Sequence, residues 1–220
     1  MATDLSCPLC GAPDPLAFAT IRDADRTRDY FRCATCALTF LAPDQRPTPD
    51  EERAQYDLHK NDPQDPAYRN FLTRIANPLM DRLKPGARGL DYGCGPGPAL
   101  MAMLNVAGFP TVGYDPIYAT DDQVLDMRYD FVTCTETAEH FHNPAREFEK
   151  LADLLEPGGL LAVMTSFQTD DARFENWHYR KDPTHVVFYR AETFAHLARR
   201  LGFTFESPRK DIVFMRKPRA

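Results

Sequence analysis

Cysteine residues show the clearest chemical spacing in this chain, which has six of them. Cys7 and Cys10 are separated by two residues, and Cys33 and Cys36 repeat that spacing. Each pair lets two thiolates reach one ion, and two pairs complete a tetrahedral four-sulfur site typical of structural zinc. The sequence therefore predicts one zinc ion on these four cysteines, with unpaired buried cysteines as the alternative.

Acidic residues and histidines form a second group that could handle protons or metal ions. Glu136, Glu139 and His140 are close in sequence, and His185 follows at long range. If Glu136 begins a helical turn, Glu139 and His140 lie on its face. Carboxylates and imidazoles suit a divalent ion such as Mg²⁺ or Mn²⁺. The same residues could instead form a hydrogen-bond network around a cofactor, and both interpretations remain open.

A glycine-rich turn is the third feature, and its spacing D-x-G-x-G-x-G is formed by Asp91, Gly93, Gly95 and Gly97. Glycines let the backbone approach a ligand closely, and the N-terminus of a following helix presents free N–H groups. In open α/β sheets, ligands bind beyond the carboxyl ends of the strands. The pattern predicts a ligand site there, with a tight structural turn as the alternative.

The elements that must position these groups follow from the hydrophobic pattern. It predicts strands at 88–92, 111–114, 129–135 and 160–165, helices at 98–107 and 144–155, a last helix ending before Gly202, and closing strands at 203–206 and 211–215. Alternation of strands and helices is typical of an α/β fold with a doubly wound, mostly parallel sheet. The continuous apolar run 160–165 predicts a central strand.

These motifs together resemble the class I S-adenosylmethionine (SAM)-dependent methyltransferases, which have a Rossmann-like fold. The resemblance rests on the glycine turn, on Asp115 after the second strand, and on the segments 129–132 and 154–161. It implies SAM as the cofactor, with Asp115 on the ribose hydroxyls. The implied cofactor-binding residues are Asp91, Gly93, Gly95, Gly97, Asp115 and Glu136.

The chain departs from this family between the second and fourth strands. Asp115 and Asp130 are only fifteen positions apart. The family usually fits a helix, a strand and a second helix there. We expect a short turn, a brief strand at 123–125 and no full helix, with Asp126 as a candidate acid near the adenine.

Two smaller resemblances concern chemistry. The pattern E-x-x-E-H is similar to the metal site of ubiquinone-biosynthesis O-methyltransferases and of small-RNA 2′-O-methyltransferases, in which a histidine before the last helix is the fourth ligand. This implies a divalent ion, Mg²⁺ or Mn²⁺, on Glu136, Glu139, His140 and His185, and catalytic roles for His185, His140 and Glu139. The cysteine module resembles zinc ribbons that precede some bacterial sugar C-methyltransferases and a ribosomal-RNA guanine methyltransferase.

Three regions are predicted along the chain: a zinc-ribbon module at 1–45, a linker and N-terminal helices at 46–82, and a methyltransferase domain at 83–220. The segment 166–190 is long, polar and aromatic, which is typical of active-site lids. Trp177 and Tyr179 could stack there on a planar substrate, or could anchor the segment to the core.

Composition limits the function. The net charge of −6 argues against a nucleic-acid partner without excluding one. The sequence has neither an apolar run long enough for a membrane helix nor a signal-peptide pattern, so we expect a cytoplasmic protein. The predicted function is methyl transfer from SAM to oxygen or carbon of a small molecule. The alternatives are an RNA-modifying methyltransferase that grips RNA with its ribbon, and a non-catalytic SAM-binding module.

Overall fold

The N-terminal part of the protein forms a small antiparallel sheet. A computed structural model describes residues 5–23, 26–58 and 62–219, so residues 1–4, 24–25, 59–61 and 220 of the predicted regions lie outside the described residues. The strands of this sheet are β1 (Leu16–Arg22), β2 (Thr27–Arg32), β3 (Thr39–Leu41) and, from far along the chain, β8 (Val187–Phe188). Their order is β1-β2-β3-β8.

The larger sheet has six strands in the order β5-β4-β6-β7-β10-β9. They are β4 (Gly89–Tyr92), β5 (Thr111–Tyr114), β6 (Tyr129–Thr135), β7 (Leu155–Met164), β9 (Thr204–Arg209) and β10 (Ile212–Arg216). The first four strands of this order run parallel, and β10 pairs antiparallel with both β7 and β9. The predicted mostly parallel sheet is confirmed.

Helices cover both faces of this sheet. The helices of the described chain are α1 (Pro49–Tyr56), α2 (Pro66–Met80), α3 (Ala99–Val106), α4 (Pro144–Asp153), α5 (His178–Lys181) and α6 (Ala191–Leu201), of which α2 and α3 lie on one face of the sheet and α4 and α6 on the other. Val163 of β7 packs with Phe148 of α4 and Phe194 of α6, whereas its neighbour Ala162 packs in the cluster that contains Leu72 of α2. Because successive strand residues face opposite sides, this is a doubly wound arrangement.

Local sequence explains where these helices begin and end. The side chain of Asn143 accepts a hydrogen bond from the backbone of Arg146, and Pro144 occupies the first helical position of α4. Gly202 ends α6 in the left-handed conformation, with φ of 69°.

The segment between β5 and β6 lacks full helices, as expected, but the brief strand predicted at 123–125 is wrong. Residues Asp122–Asp126 form a 3-10 helix instead. The side chain of Asp121 accepts a hydrogen bond of 3.0 Å from the backbone of Gln123 and turns the chain there. A strand here would also need a neighbouring strand for pairing, and none of the described strands pairs with residues 123–125.

The segment 166–190, predicted as a lid, is built into the fold. It contains α5 and β8, and β8 pairs with β3. Tyr179 is buried, and Trp177 packs against Tyr179 and Phe188 with ring centroids 5.2 and 5.8 Å apart. These aromatic side chains therefore anchor the segment to the core.

The cysteine module packs directly on the large sheet's helices. Leu9 is fully buried, and its carbonyl oxygen accepts a hydrogen bond of 2.5 Å from Arg200 of α6. The carbonyl oxygen of Pro8 accepts one of 3.3 Å from Ala145 in α4. One apolar cluster extends from Leu9 to Phe148, so module and domain share a core.

Candidate functional site

A cavity of about 540 Å³ lies at the carboxyl edge of β4, β5 and β6. Its volume falls within the range of small-molecule and cofactor sites. The residues that line it include Glu52, Tyr56, Tyr68, Tyr92, Gly93, Gly95, Tyr114, Asp115, Glu136, His140, Glu147 and Lys150. This is the edge at which the sequence predicts a ligand site.

The glycine turn forms one wall of this cavity. Gly93 and Gly95 have φ of 75° and 64°, and a Cβ on Gly93 would overlap the Thr137 side chain. Both the conformation and the space therefore require glycine at position 93. Gly97 is buried just before α3 and does not line the cavity.

Asp91 lies beneath the turn rather than in the cavity wall. It is buried, and the Thr133 hydroxyl donates a hydrogen bond of 2.7 Å to its carboxyl group. Burial raises the pKa of Asp91 to about 6. The backbone N–H of Met101 also bonds to this carboxyl group, so Asp91 ties β4 to the first turn of α3.

Asp115 follows β5, and its carboxylate faces the cavity. Its Oδ2 accepts a hydrogen bond of 3.0 Å from Gly95, and its Oδ1 accepts bonds of 2.9 and 3.0 Å from the backbones of Ile117 and Tyr118. A carboxylate has about four acceptor positions. Three backbone bonds therefore orient the group and leave it capacity for a ligand hydroxyl.

Glu136, at the end of β6, projects into the cavity from a left-handed backbone with φ of 48°. This conformation is uncommon for a residue other than glycine, and such residues cluster at functional sites. The carboxyl group is surrounded by the cavity walls but open to its interior. Desolvation, followed by the charge of Glu139, raises the pKa of Glu136 to about 9.

Glu139, His140 and His185 converge behind this wall, with one ligand atom of each within 4.8 Å of the others. Glu139 is fully buried, and its Oε1 lies 3.9 Å from Nε2 of both histidines. Its Oε2 accepts a hydrogen bond of 2.9 Å from Thr165. Among the described residues, Oε1 has no hydrogen-bond partner. Glu136 does not belong to this group, so the predicted four-residue set is brought together only in part.

Backbone carbonyls fix the tautomer of both imidazoles. Nδ1 of His140 lies 3.0 Å from the carbonyl oxygen of Thr184, and Nδ1 of His185 lies 2.6 Å from that of Tyr179. A carbonyl oxygen only accepts, so each Nδ1 carries a proton, and in the neutral imidazole Nε2 is the nitrogen with the lone pair. Burial lowers the pKa of His185, which favours its neutral form. His140 lines the cavity, whereas His185 lies behind it.

Helix α1 closes one side of the cavity. The Tyr56 ring packs edge-on against His140 at 5.2 Å, and Glu52 accepts a hydrogen bond of 2.8 Å from His142. This helix lies in the region predicted as a linker and N-terminal helices. The helix is marked in the sequence by Thr48, whose side chain caps it in a box with Glu51.

The residues at the end of the cavity next to α4 were not predicted from the sequence. Tyr92 and Tyr114 stack with centroids 5.3 Å apart, and Lys150 lies about 5 Å from both rings. The Tyr92 hydroxyl donates a hydrogen bond of 2.6 Å to Glu147. The available signal was the shortness of segment 116–128, which leaves these tyrosines accessible to the cavity. Asp126, the expected acid of this region, is exposed and does not line it.

The four N-terminal cysteines lie together as predicted, with one sulfur of each within 4.8 Å of the others. The Sγ atoms of Cys7 and Cys36 are 3.6 Å apart, and those of Cys10 and Cys33 are 3.5 Å apart. Sulfur–zinc bonds of about 2.3 Å in a tetrahedron place sulfurs about 3.8 Å apart. The sulfur geometry therefore fits a tetrahedral zinc ion. Gly11, after the first knuckle, has a left-handed backbone.

Comparison with known proteins defines the class. Residues 64–207 match the family model described as a methyltransferase domain, which is more than half of the chain. The chain belongs to this methyltransferase family, and it is a SAM-dependent methyltransferase. No curated protein sequence matches it. Within the described residues, none of the helices has the length and apolar character needed to span a membrane.

Solved structures with a similar fold include three methyltransferase structures. A chain from the complex of a Haloferax volcanii methyltransferase with the activator Trm112 is 16% identical, with a TM-score of 0.56 over 78% of this chain and 100% of that chain. The 1,6-didemethyltoxoflavin-N1-methyltransferase of Burkholderia thailandensis is 17% identical, with a TM-score of 0.54 over 91% and 100%. The magnesium protoporphyrin IX methyltransferase of Synechocystis is 17% identical, with a TM-score of 0.51 over 76% and 93%.

Proposed function

We propose that this methyltransferase transfers the methyl group of SAM to a hydroxyl oxygen of a small molecule. The observation that carries the proposal is the cluster of Glu139, His140 and His185 beside the cavity. A hydroxyl is a poor nucleophile until a base removes its proton, and this cluster places an imidazole beside a buried carboxylate. A hydroxyl acceptor must lose a proton as its oxygen attacks, and His140 is the member of the cluster in the cavity wall.

The reaction proceeds as an in-line displacement. The acceptor oxygen, held about 3 Å from the methyl carbon, forms the new C–O bond while the C–S bond breaks. The hydroxyl proton passes to Nε2 of His140, and S-adenosylhomocysteine leaves. Glu139, with its Oε1 3.9 Å from Nε2, stabilises the imidazolium that forms. Nε2 of His185 lies 3.9 Å from the same carboxylate oxygen.

Glu139, His140 and His185 could instead hold a divalent ion, which is the second candidate for how the acceptor is activated. Metal-binding histidines usually donate their other ring N–H to a carbonyl or carboxylate, as both do here. Octahedral bonds of about 2.0–2.2 Å to Mg²⁺ or Mn²⁺ place adjacent ligand atoms about 2.8–3.1 Å apart, so the 3.9 Å separations would have to close by about 1 Å. Such an ion would lower the pKa of a bound hydroxyl.

We further propose that the four cysteines hold one structural zinc ion per chain. Four thiolates leave no open coordination position, so this ion stabilises the module and has no catalytic role. Elemental analysis of protein purified without added metal tests this, with one zinc per chain expected. Metal-free protein that retains protected amide protons around Cys33 would overturn it.

The acceptor proposal is tested with labelled SAM against phenols, sugars and bulk RNA, with His140→Gln and, as a matched control, His196→Gln on α6. We expect label on oxygen of a phenol or sugar, and a fall in kcat of about 10²-fold or more for His140→Gln only. SAM affinity should stay within threefold. Label on carbon or RNA alone, or an unaffected His140 variant, contradicts the proposal.

A chelator titration separates the proton-transfer and metal candidates. If an ion is required, activity falls on chelation, recovers with Mg²⁺ or Mn²⁺, and loses this response in Glu139→Ala. If His140 acts alone, the rate does not change as long as the cysteine-bound zinc is retained. Zinc content is measured in the same samples, so loss of the module is not mistaken for loss of a second ion.

A further inference from the structure

The end of the cavity next to α4 has chemistry that the methyl-transfer step does not use. Glu147 and Lys150 are three residues apart on α4, and both line the cavity. The Tyr92 hydroxyl joins them, because it donates to Glu147 at 2.6 Å and accepts from Lys150 at 3.1 Å. A hydrogen-bond acceptor and a hydrogen-bond donor are thus held side by side against an aromatic floor.

The chemistry of SAM decides which part of the cofactor reaches this end. Its sulfur is joined to one side of the ribose and its purine to the other. This inference rests on the proposed function, in which the methyl group is transferred at the His140 end of the cavity, and on the ribose expected at Asp115. The purine then points away from His140. Tyr114 directly precedes Asp115, and its ring lies 5.0 Å from Nζ of Lys150, so the α4 end lies on the remaining side.

We propose that Glu147 and Lys150 recognise the hydrogen-bonding edge of the adenine, because Asp126, the acid expected near the adenine, does not line the cavity. Adenine presents an amino group, which donates, next to N1, which accepts. The Glu147 carboxylate accepts from the amino group, and the Lys150 ammonium donates to N1. The Tyr92 and Tyr114 rings form the floor beneath the purine.

The shortened segment explains why these residues take this role. Of the described segment 116–128, only residues 116–118 line the cavity, and the 3-10 helix Asp122–Asp126 supplies no side chain to its wall. Asp122 of this 3-10 helix accepts a hydrogen bond from the Tyr114 hydroxyl. The polar groups at this end of the cavity therefore come from α4, whose first turns replace the missing wall.

Two ligands that differ only at the purine edge test the proposal: S-adenosylhomocysteine and S-inosylhomocysteine. Inosine carries a carbonyl where adenine has the amino group, and an N–H where adenine has N1. Both contacts are reversed, so the wild-type protein should prefer the adenosyl ligand by tenfold or more in calorimetry. Glu147→Gln, which can donate as well as accept, should reduce that preference to about threefold or less.

Glu149→Gln is the matched control, because Glu149 lies on the same helix, is exposed and pairs with Arg200. It should keep the wild-type preference. Lys150→Met is a second test variant if Glu147→Gln fails to fold, and it should also lower the preference. Equal binding of the two ligands by the wild-type protein, or full preference in both α4 variants, would overturn the proposal. Failure of S-adenosylhomocysteine to bind at all would instead contradict the cofactor assignment.

Discussion

Substitution of Asp115 is the sharpest test of the cofactor site. Its carboxylate accepts three backbone hydrogen bonds, from Gly95, Ile117 and Tyr118, at 2.9–3.0 Å. In Asp115→Asn, an NH2 group takes the place of one oxygen and either faces a backbone donor or displaces the ribose hydroxyl. The variant therefore loses acceptor capacity on the side of the glycine turn, on the side of the ligand, or on both.

The magnitude follows from the charge on the acceptor. A hydrogen bond to a charged group contributes about 1.5–3 kcal/mol. Since about 1.4 kcal/mol is a tenfold change in affinity, SAM should bind roughly 10- to 150-fold more weakly. The unliganded protein should also lose about 1–3 kcal/mol of stability, because a buried backbone N–H of the turn is left without an acceptor.

Calorimetry with SAM, paired with denaturant unfolding, measures both effects. Asp130→Asn is the control, because the Asp130 carboxylate also accepts a backbone hydrogen bond, of 2.8 Å from Arg88, but outside the cavity wall. It should lose stability without losing affinity. If Asp115→Asn binds SAM within twofold of the wild-type protein, the ribose does not bond to Asp115 and the reasoning is refuted.

Three further outcomes are expected. Cys33→Ser should lose zinc and melt at a lower temperature in scanning calorimetry, whereas Cys94→Ser should keep its metal. Desolvation by the cavity walls, followed by the charge of Glu139, raises the pKa of Glu136 from 4.5 to about 9. The folded state then holds a proton that the unfolded chain has lost, so stability falls as pH rises between these values. The melting temperature of Glu136→Gln should therefore rise relative to wild type from pH 5 to pH 9, and a constant difference would contradict the shift. Gly93→Ala should abolish measurable SAM binding through its clash with Thr137, and wild-type affinity would show that the turn can move.

Local patterns in the sequence predict much of the large sheet. The strand at 129–135 and the helix that begins at Pro144 are found at the predicted positions, because each depends on a continuous apolar run or on a cap within one turn. The strand predicted at 123–125 fails for the same local reason, because the Asp121 side chain turns the chain before a strand can form.

Features that depend on distant contacts could not be predicted in this way. The pairing of β3 with β8 involves two residues on one side, Val187 and Phe188, and no periodicity marks them. The separation of Glu136 from Glu139, His140 and His185 could not be predicted either, because the motif was interpreted as a helical turn that begins at Glu136. Glu136 has a left-handed backbone and the helical turn begins only at Ala138, so Glu136 and Glu139 do not share a face.

The pairing of β3 with β8 has a consequence for synthesis of the protein. About 150 residues separate the two strands, and a ribosome adding about 5–20 residues per second needs roughly 7–30 s to cover that distance. During this time the nascent cysteine module has an open edge at β3, next to apolar side chains that α4 and α6 will later cover. Chaperones and neighbouring nascent chains can pair with that edge until residues 187–188 emerge.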